Sequence, residues 1–346
     1  MTLLDRRSFL ARSGVAAAAT LALPAIRRAR AAPASVINIA YFVETKPTMI
    51  AKGEGWFADA AKMKLNWVEV GSGAEINTAV VAGSVDIGIG IGSSPTAAGL
   101  SQGIPYKLIG MLDNIGPAEE LTVRKSANIH SVADLKGKKV ATPFGSTSHF
   151  RLLGLLKTNN LTQADVTVLD MKPDAMVAAW SRGDIDAGYV WSPAKSKLLA
   201  DGGEVFKTYD TLDAAGYVIA DLIIARTAFL DANHDAVVGL LAAYGKALEY
   251  YRTSPDKAAE IVAKQAGVTP AVAKADLAEY DFVPLKTQLT AEWLGTPGHP
   301  GKFDEVLKRT ADFLVEQKSI RSAPGLAAFQ KGTDTSALEK AAAAPA

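Results

Sequence analysis

Between Pro143 and Arg151 the chain reads PFGSTSHFR, three hydroxyls and an imidazole set between a glycine turn and a helix carrying Leu152, Leu153, Leu155 and Leu156. Ser146, Thr147 and Ser148 at such a place can hold an oxyanion. Their hydroxyls donate, the backbone N–H groups of the first helical turn have no partners within the helix, and the helix dipole favours negative charge there. His149 falls in the same turn, where its ring either adds a donor or simply lies on the helix surface. Ser93 and Ser94 stand before Pro95, the order expected of a hydroxyl cap with proline at the first helical position. The chemistry suggested is anion binding rather than bond making.

Other residues could complete such a site. Asp221 interrupts the apolar run Val218-Ile219-Ala220 and Leu222-Ile223-Ile224. A carboxylate there is costly unless paired, so its partner is either an internal Arg or Lys or an amine brought by a ligand. Tyr189 and Trp191 share one face of a short strand, either as core aromatics or with Trp191 as an apolar wall that excludes water. Glu44 and Lys46 follow the first strand and face either a cleft or solvent. Catalytic signatures are missing. His130, His149, His234 and His299 have no metal-ligand spacing, no G-x-S-x-G elbow or Walker sequence occurs, and Gly88-Ile89-Gly90-Ile91-Gly92 lacks the last glycine of a dinucleotide fingerprint. No cofactor and no metal are expected, and the protein is read as a binder, not an enzyme.

The elements that must position these residues are announced by a repeat. Gly83-Ser84-Val85-Asp86-Ile87-Gly88 runs on to Ser94-Pro95, and Gly183-Asp184-Ile185-Asp186-Ala187-Gly188 runs on to Ser192-Pro193. Each copy opens with a glycine able to close a helix, continues as a short apolar strand, and ends where a helix can begin. Two α/β lobes follow, each aiming a helix N-terminus beyond its strand, where open α/β sheets collect ligands. Alternating patterns place strands at 36–42, 65–70, 85–91, 107–111, 120–124, 137–141, 166–169, 187–190 and 217–225. Helices are expected at 47–57, 74–82, 95–101, 146–159 and 173–182, and the chain turns helical from residue 228. The spacing predicts a first lobe over 32–123 and 219–338, and a second lobe over 124–218 entered and left by two crossing strands that make a hinge. The alanine-rich end, 339–346, reads as a disordered tail.

The start of the chain reads as an address. Asp5-Arg6-Arg7-Ser8-Phe9-Leu10 and the mild apolar run to Leu23 form a twin-arginine signal, with cleavage expected near Ala31. Loss of residues 1–31 removes six Arg and one Asp, so the 37 basic and 36 acidic residues become 31 and 35, a net −4. That balance argues against a nucleic-acid partner. The chain has no cysteine, which excludes disulfides, thiolate chemistry and a lipid-bearing N-terminal cysteine. A free periplasmic protein, monomeric, is the expectation.

These features resemble one family. The export signal, the inserted second lobe, Gly92-Ser93-Ser94-Pro95, Pro143-Phe144 with Ser146-Thr147-Ser148-His149, Ala178-Ala179-Trp180 with Arg182-Gly183-Asp184-Ile185-Asp186, and Tyr189-Val190-Trp191 are similar to the periplasmic taurine-binding proteins. Those stand with the nitrate and aliphatic-sulfonate receptors of ABC importers. The resemblance covers essentially the whole mature chain and is densest from 83 to 225. It implies a type II periplasmic binding protein fold, two α/β lobes with a central ligand cleft, and an importer permease as partner. By the same resemblance Ser93, Ser94, Thr147, Ser148 and His149 surround a sulfonate, Trp191 lines the wall, and Asp221 meets an amine. Where the family tends to carry an acidic residue before the first-helix proline, this chain has Lys46, with Glu44 two places earlier. A cation near the amine end disfavours taurine unless Lys46 points away. The alternative is an enzyme on the same fold related to pyrimidine-precursor synthases, to which an export signal is foreign.

Overall fold

The computed structural model describes residues 35–344. The twin-arginine segment and its cleavage site lie outside the described residues. In chain order β1 (Val36–Tyr41), α1 (Thr48–Gly53), α2 (Trp56–Ala61), β2 (Lys64–Glu69), α3 (Gly73–Val81), β3 (Ile87–Gly92), α4 (Ser93–Ser101) and β4 (Tyr106–Asn114) begin a first lobe. The second contains β5 (Glu119–Arg124), β6 (Lys139–Thr142), α5 (Thr147–Thr158), β7 (Thr167–Asp170), α6 (Pro173–Arg182), β8 (Ala187–Trp191), α7 (Ala194–Ala200), β9 (Gly203–Phe206) and α8 (Tyr209–Ala214). The chain then returns through β10 (Ala220–Arg226), α9 (Thr227–Ala232), α10 (His234–Thr253), α11 (Pro255–Ala266), α12 (Pro270–Leu277), β11 (Asp281–Phe282), α13 (Leu285–Gln288), α14 (Phe303–Glu316), α15 (Leu326–Gly332) and α16 (Ser336–Ala343).

The first sheet runs β11-β4-β10-β3-β1-β2 and the second β7-β6-β8-β5-β9. One plan underlies both. β1 pairs parallel with β2 and β3, and β10 lies antiparallel beside β3. Likewise β6 pairs parallel with β7 and β8, and β5 lies antiparallel beside β8. The repeated residues have repeated duties. Gly83 and Gly183 take φ of +71° and +79° at the ends of their helices, where side chains are strained. Asp86 accepts from the backbone N–H of Asn38 in β1, and Asp186 from that of Lys139 in β6, so each clamps its strand to the neighbour. The duplicated Asp is thus structural.

Burial explains the rest. β3 and β8 are buried along their whole length, as strands covered on both faces must be. In α10 Val237, Leu240, Leu241, Tyr244, Ala247 and Leu248 turn one apolar stripe to the core. Several boundaries differ from expectation. The chain first crosses between sheets at 115–118, earlier than 124, because β5 pairs throughout with β8 and β9. The return strand begins at Ala220, and the Ile115 N–H donates to the Ile219 carbonyl at 3.3 Å, tying the two crossings together. The helix expected over 47–57 is split at Gly55, whose φ is +73°. The expected tail is ordered to Ala343: α16 buries Ala337, Leu338, Ala341 and Ala342, and packs on α10. Short alanines are what allow that close seat. Among the described residues no helix is long and apolar enough to cross a membrane.

Candidate functional site

A small, nearly closed pocket lies at the seam between the lobes. Phe42, Glu44, Gly73, Gly90, Gly92, Pro95 and Asp221 line it from the first lobe; Glu119, Ser146, Thr147 and Trp191 line it from the second. Glu44 comes from the loop after β1, Asp221 and Glu119 from the first residues of β10 and β5, and Ser146 and Thr147 from the start of α5. The lobes meet tightly around it. The Ser94 hydroxyl donates to the Ser146 carbonyl at 2.9 Å, and Trp191 packs edge-on to Phe42 with ring centroids 5.7 Å apart. A Cβ on Gly92 would stand 2.5 Å from Thr147 Cγ2, so this approach needs a glycine. Further out, Lys195 pairs with Glu279 at 2.7 Å, Ser196 bonds Asp276, and Lys172 meets Glu75.

The first-lobe end is a buried cluster of charge. Lys46 is fully buried; its Nζ bonds Asp221, lies 3.1 Å from Asp113 and 3.6 Å from Glu44, and sits 4.5 Å from the centroid of the Tyr280 ring. Burial lowers the affinity of Lys46 for its proton, but Asp113, Asp221 and Glu44 together hold it well above the ordinary lysine value. Burial raises all three carboxyls against the pull of Lys46: Glu44 goes well above the carboxylate range, Asp113 to about 7, and Asp221 upward as well. Three acids around one cation cannot all shed their protons in a dry site.

The second-lobe end is built from the start of α5. Ser146 caps the helix, its Oγ accepting from the His149 N–H at 3.1 Å and donating to the Pro143 carbonyl at 2.6 Å. The Thr147 hydroxyl donates to Glu119 Oε2 at 2.8 Å, while Glu119 Oε1 and Ser148 Oγ are buried without partners. Burial pushes the Glu119 carboxyl up to about 8, helped by Asp221 and opposed by Thr147, Arg151 and Ser148.

Residues 43–258 match the family described as NMT1/THI5 like. The chain belongs to this family. The taurine-binding periplasmic protein of Escherichia coli (strain K12) is 32% identical over 82% of this chain and 87% of that protein. Among solved structures, the alkanesulfonate-binding protein of Xanthomonas axonopodis pv. citri bound to MOPS has a TM-score of 0.73, with 23% identity over 88% of this chain and 100% of that one. A desulfurization enzyme shares the architecture with a TM-score of 0.61 and 17% identity, covering 89% of this chain and 99% of that one. The two sheets and the cleft between them are therefore the periplasmic binding protein fold.

Within this NMT1/THI5-like protein the residues singled out from sequence divide. Glu44, Ser146, Thr147, Trp191 and Asp221 share the pocket. Ser93 and Ser94 do not precede α4 as caps; they are its first two residues after Gly92, because Pro95, lacking an N–H, is tolerated anywhere in the first turn. Their hydroxyls are taken up, Ser93 accepting from the Ala220 N–H at 3.3 Å and Ser94 reaching Ser146. Ser148 is buried behind the pocket. His149 faces elsewhere. Its ring stacks on Phe144 at 4.4 Å and lines a separate groove with Ala74, Pro95 and Phe150, and burial drops its pKa to about 4, so it is neutral. Lys46 faces neither cleft nor solvent; it lies beneath the pocket as the internal partner of Asp221. Glu119 escaped the sequence reading. A charged residue opening a buried strand, the signal that exposed Asp221, was there to be used.

Proposed function

We propose that this protein is a periplasmic receptor that captures taurine or a closely related small aminosulfonate and hands it to the permease of an ABC importer. The observation that carries this reading is the two-sided lining of the pocket: the start of α5 with Ser146, Thr147 and the carboxyl of Glu119 from the second lobe, Glu44 and Asp221 from the first. The 32% identity to a taurine-binding protein over most of both chains supports the same ligand class. The open form docks the guest on one lobe, and the contacts across the seam then favour closure. Hinge motion is absorbed at 115–118 and near 219, where the two crossings touch. A helix terminus contributes about 0.3–1 kcal/mol, and each hydrogen bond to a charged group about 1.5–3 kcal/mol. A few of these suffice for micromolar capture, which needs about 8 kcal/mol.

In this reading Asp221 is not alone at the amine end. With Lys46 holding one of its oxygens, the guest's ammonium is met by Asp221 and Glu44 together, and Lys46 keeps that corner from becoming too acidic. Trp191 closes the wall against water. An enzyme of the same fold is the second reading, since one structural neighbour is a desulfurization enzyme; unchanged taurine after prolonged incubation with the protein argues against it. The direct test is a thermal-shift and calorimetric screen of the mature protein against taurine, isethionate, alkanesulfonates, sulfate, nitrate and amino acids. Aminosulfonates should raise the Tm, by an amount corresponding to about 2.7 kcal/mol at a hundredfold excess over Kd. Flat melts across the whole panel would remove the ligand class.

A further inference from the structure

Glu119 is the second-lobe counterpart of Asp221. Asp221 lies in β10, antiparallel to β3 and opposite Gly92; Glu119 opens β5, antiparallel to β8 and opposite Trp191. Both carboxyls therefore stand where a central strand of their sheet delivers the chain to the pocket, and both line it. Glu119 is 1% exposed. Among the described residues no Lys, Arg or His approaches it within ion-pair distance. The guanidinium of Arg151, which pulls on Glu119 from beyond that distance, pairs with Asp213 at 2.7 Å and the Tyr209 carbonyl at 3.3 Å, its Nε staying buried without a partner. What faces Glu119 is Thr147, Ser148 and Arg151 from α5, Trp191 from β8 and Asp221 from β10. Its Oε2 accepts from Thr147, whereas Oε1 makes no well-formed hydrogen bond; the hydroxyl of Ser148, itself buried and otherwise unpartnered, is the other donor close enough to act on the carboxyl.

A buried carboxyl without a cation is neutralised by a proton or by its guest. We infer that Glu119 is a specificity-determining residue that meets the anionic group of the guest as a neutral carboxylic acid, donating the proton on Oε1. This rests on the receptor reading and adds a consequence to it. The proton on Glu119, and with it the attraction for an anion, is lost as the pH rises through about 8. An ionised Glu119 would repel a sulfonate instead. Were Glu119 to meet the ammonium, the dependence on pH would have the opposite sign.

The test is calorimetric titration with taurine from pH 6.5 to 9 in the wild type and in Glu119→Gln, which keeps a donor but cannot ionise. The titration of the ligand's own amine and of the Lys46 cluster is common to both proteins, so the ratio of their Kd values isolates Glu119. That ratio, wild type over variant, should rise about tenfold between pH 7 and 9 for a group titrating near 8. Thr147→Val, which removes the hydroxyl bond that favours the ionised form, should move the break to higher pH, and serves if the glutamine variant folds poorly. A ratio that stays constant or falls overturns the inference while leaving the receptor standing. Failure of every protein to bind taurine at any pH overturns the receptor reading and this inference with it.

Discussion

Asp221 and Glu119 hold matching places in two lobes built on one plan, yet the chain neutralises them by different means. In the first lobe the loop after β1 supplies Lys46, buried beneath the pocket and shared among Asp221, Asp113 and Glu44. In the second lobe the loop after β6 leads into Ser146 and Thr147, and the carboxyl of Glu119 receives a hydroxyl bond and no cation. The difference teaches that lobe symmetry fixes where a carboxyl stands while the neighbouring loop decides its charge. One end of the pocket shares its carboxyls with an internal cation; the other stays neutral until a proton leaves. A guest with opposite charges at its two ends has only one orientation in such a pocket.

The comparison breaks most severely if Lys46 is removed. Lys46→Met leaves three buried acids facing each other, and stability should fall by about 3–5 kcal/mol in urea unfolding. A loss under about 1 kcal/mol would mean that the first lobe can also rely on protons. The same cluster makes stability depend on pH. Asp113 keeps its proton in the folded chain up to about pH 7, whereas the unfolded chain releases it near 4. Its contribution is therefore full below about pH 4 and is lost as the pH rises through about 7. Urea midpoints should show this decline, and Asp113→Asn should remove the share of Asp113 while leaving that of Glu44 and Glu119.

A second substitution sharpens the contrast at the level of ligands. Asp221→Asn should weaken taurine about ten- to a hundredfold and isethionate, which has no amine, much less, because an ammonium loses its charged partner. Equal losses for both compounds would make Asp221 part of the scaffold that holds Lys46. The smallest effect is expected at the residue that sequence favoured for the anion end. His149→Gln should leave taurine affinity within about 0.5 kcal/mol of wild type. Nor should His149 impose a break between pH 5 and 8, since its ring is already neutral there. A tenfold loss on that substitution would return His149 to the pocket.

The fold was legible because its signals were local and repeated. Gly83 and Gly183 mark helix ends, and the unbroken burial of β3 and β8 appears as short apolar runs, so two α/β units are legible in the amino-acid sequence alone. The boundary at 124 was missed because pairing, not composition, decides which sheet Glu119–Arg124 joins. In the site, residues at the ends of elements were found, while the direction of their side chains was not. Ser94 and Ser146 look alike in sequence, yet one spends its hydroxyl across the seam and the other on its own turn. Lys46 was seen as a departure, but its partners lie 67 and 175 positions away, and nothing local to residue 46 announces Asp113 or Asp221.

The hydroxyl of Ser94 touching the carbonyl of Ser146 has a consequence for what the protein turns away. Two rigid helix starts that must come within one hydrogen bond of each other act as a gauge of length. A compound with a short spacer lies beside that contact and lets it form; a longer chain props the halves apart and leaves the serine to water. Rejection by size then requires no gate, only the refusal of two surfaces to meet.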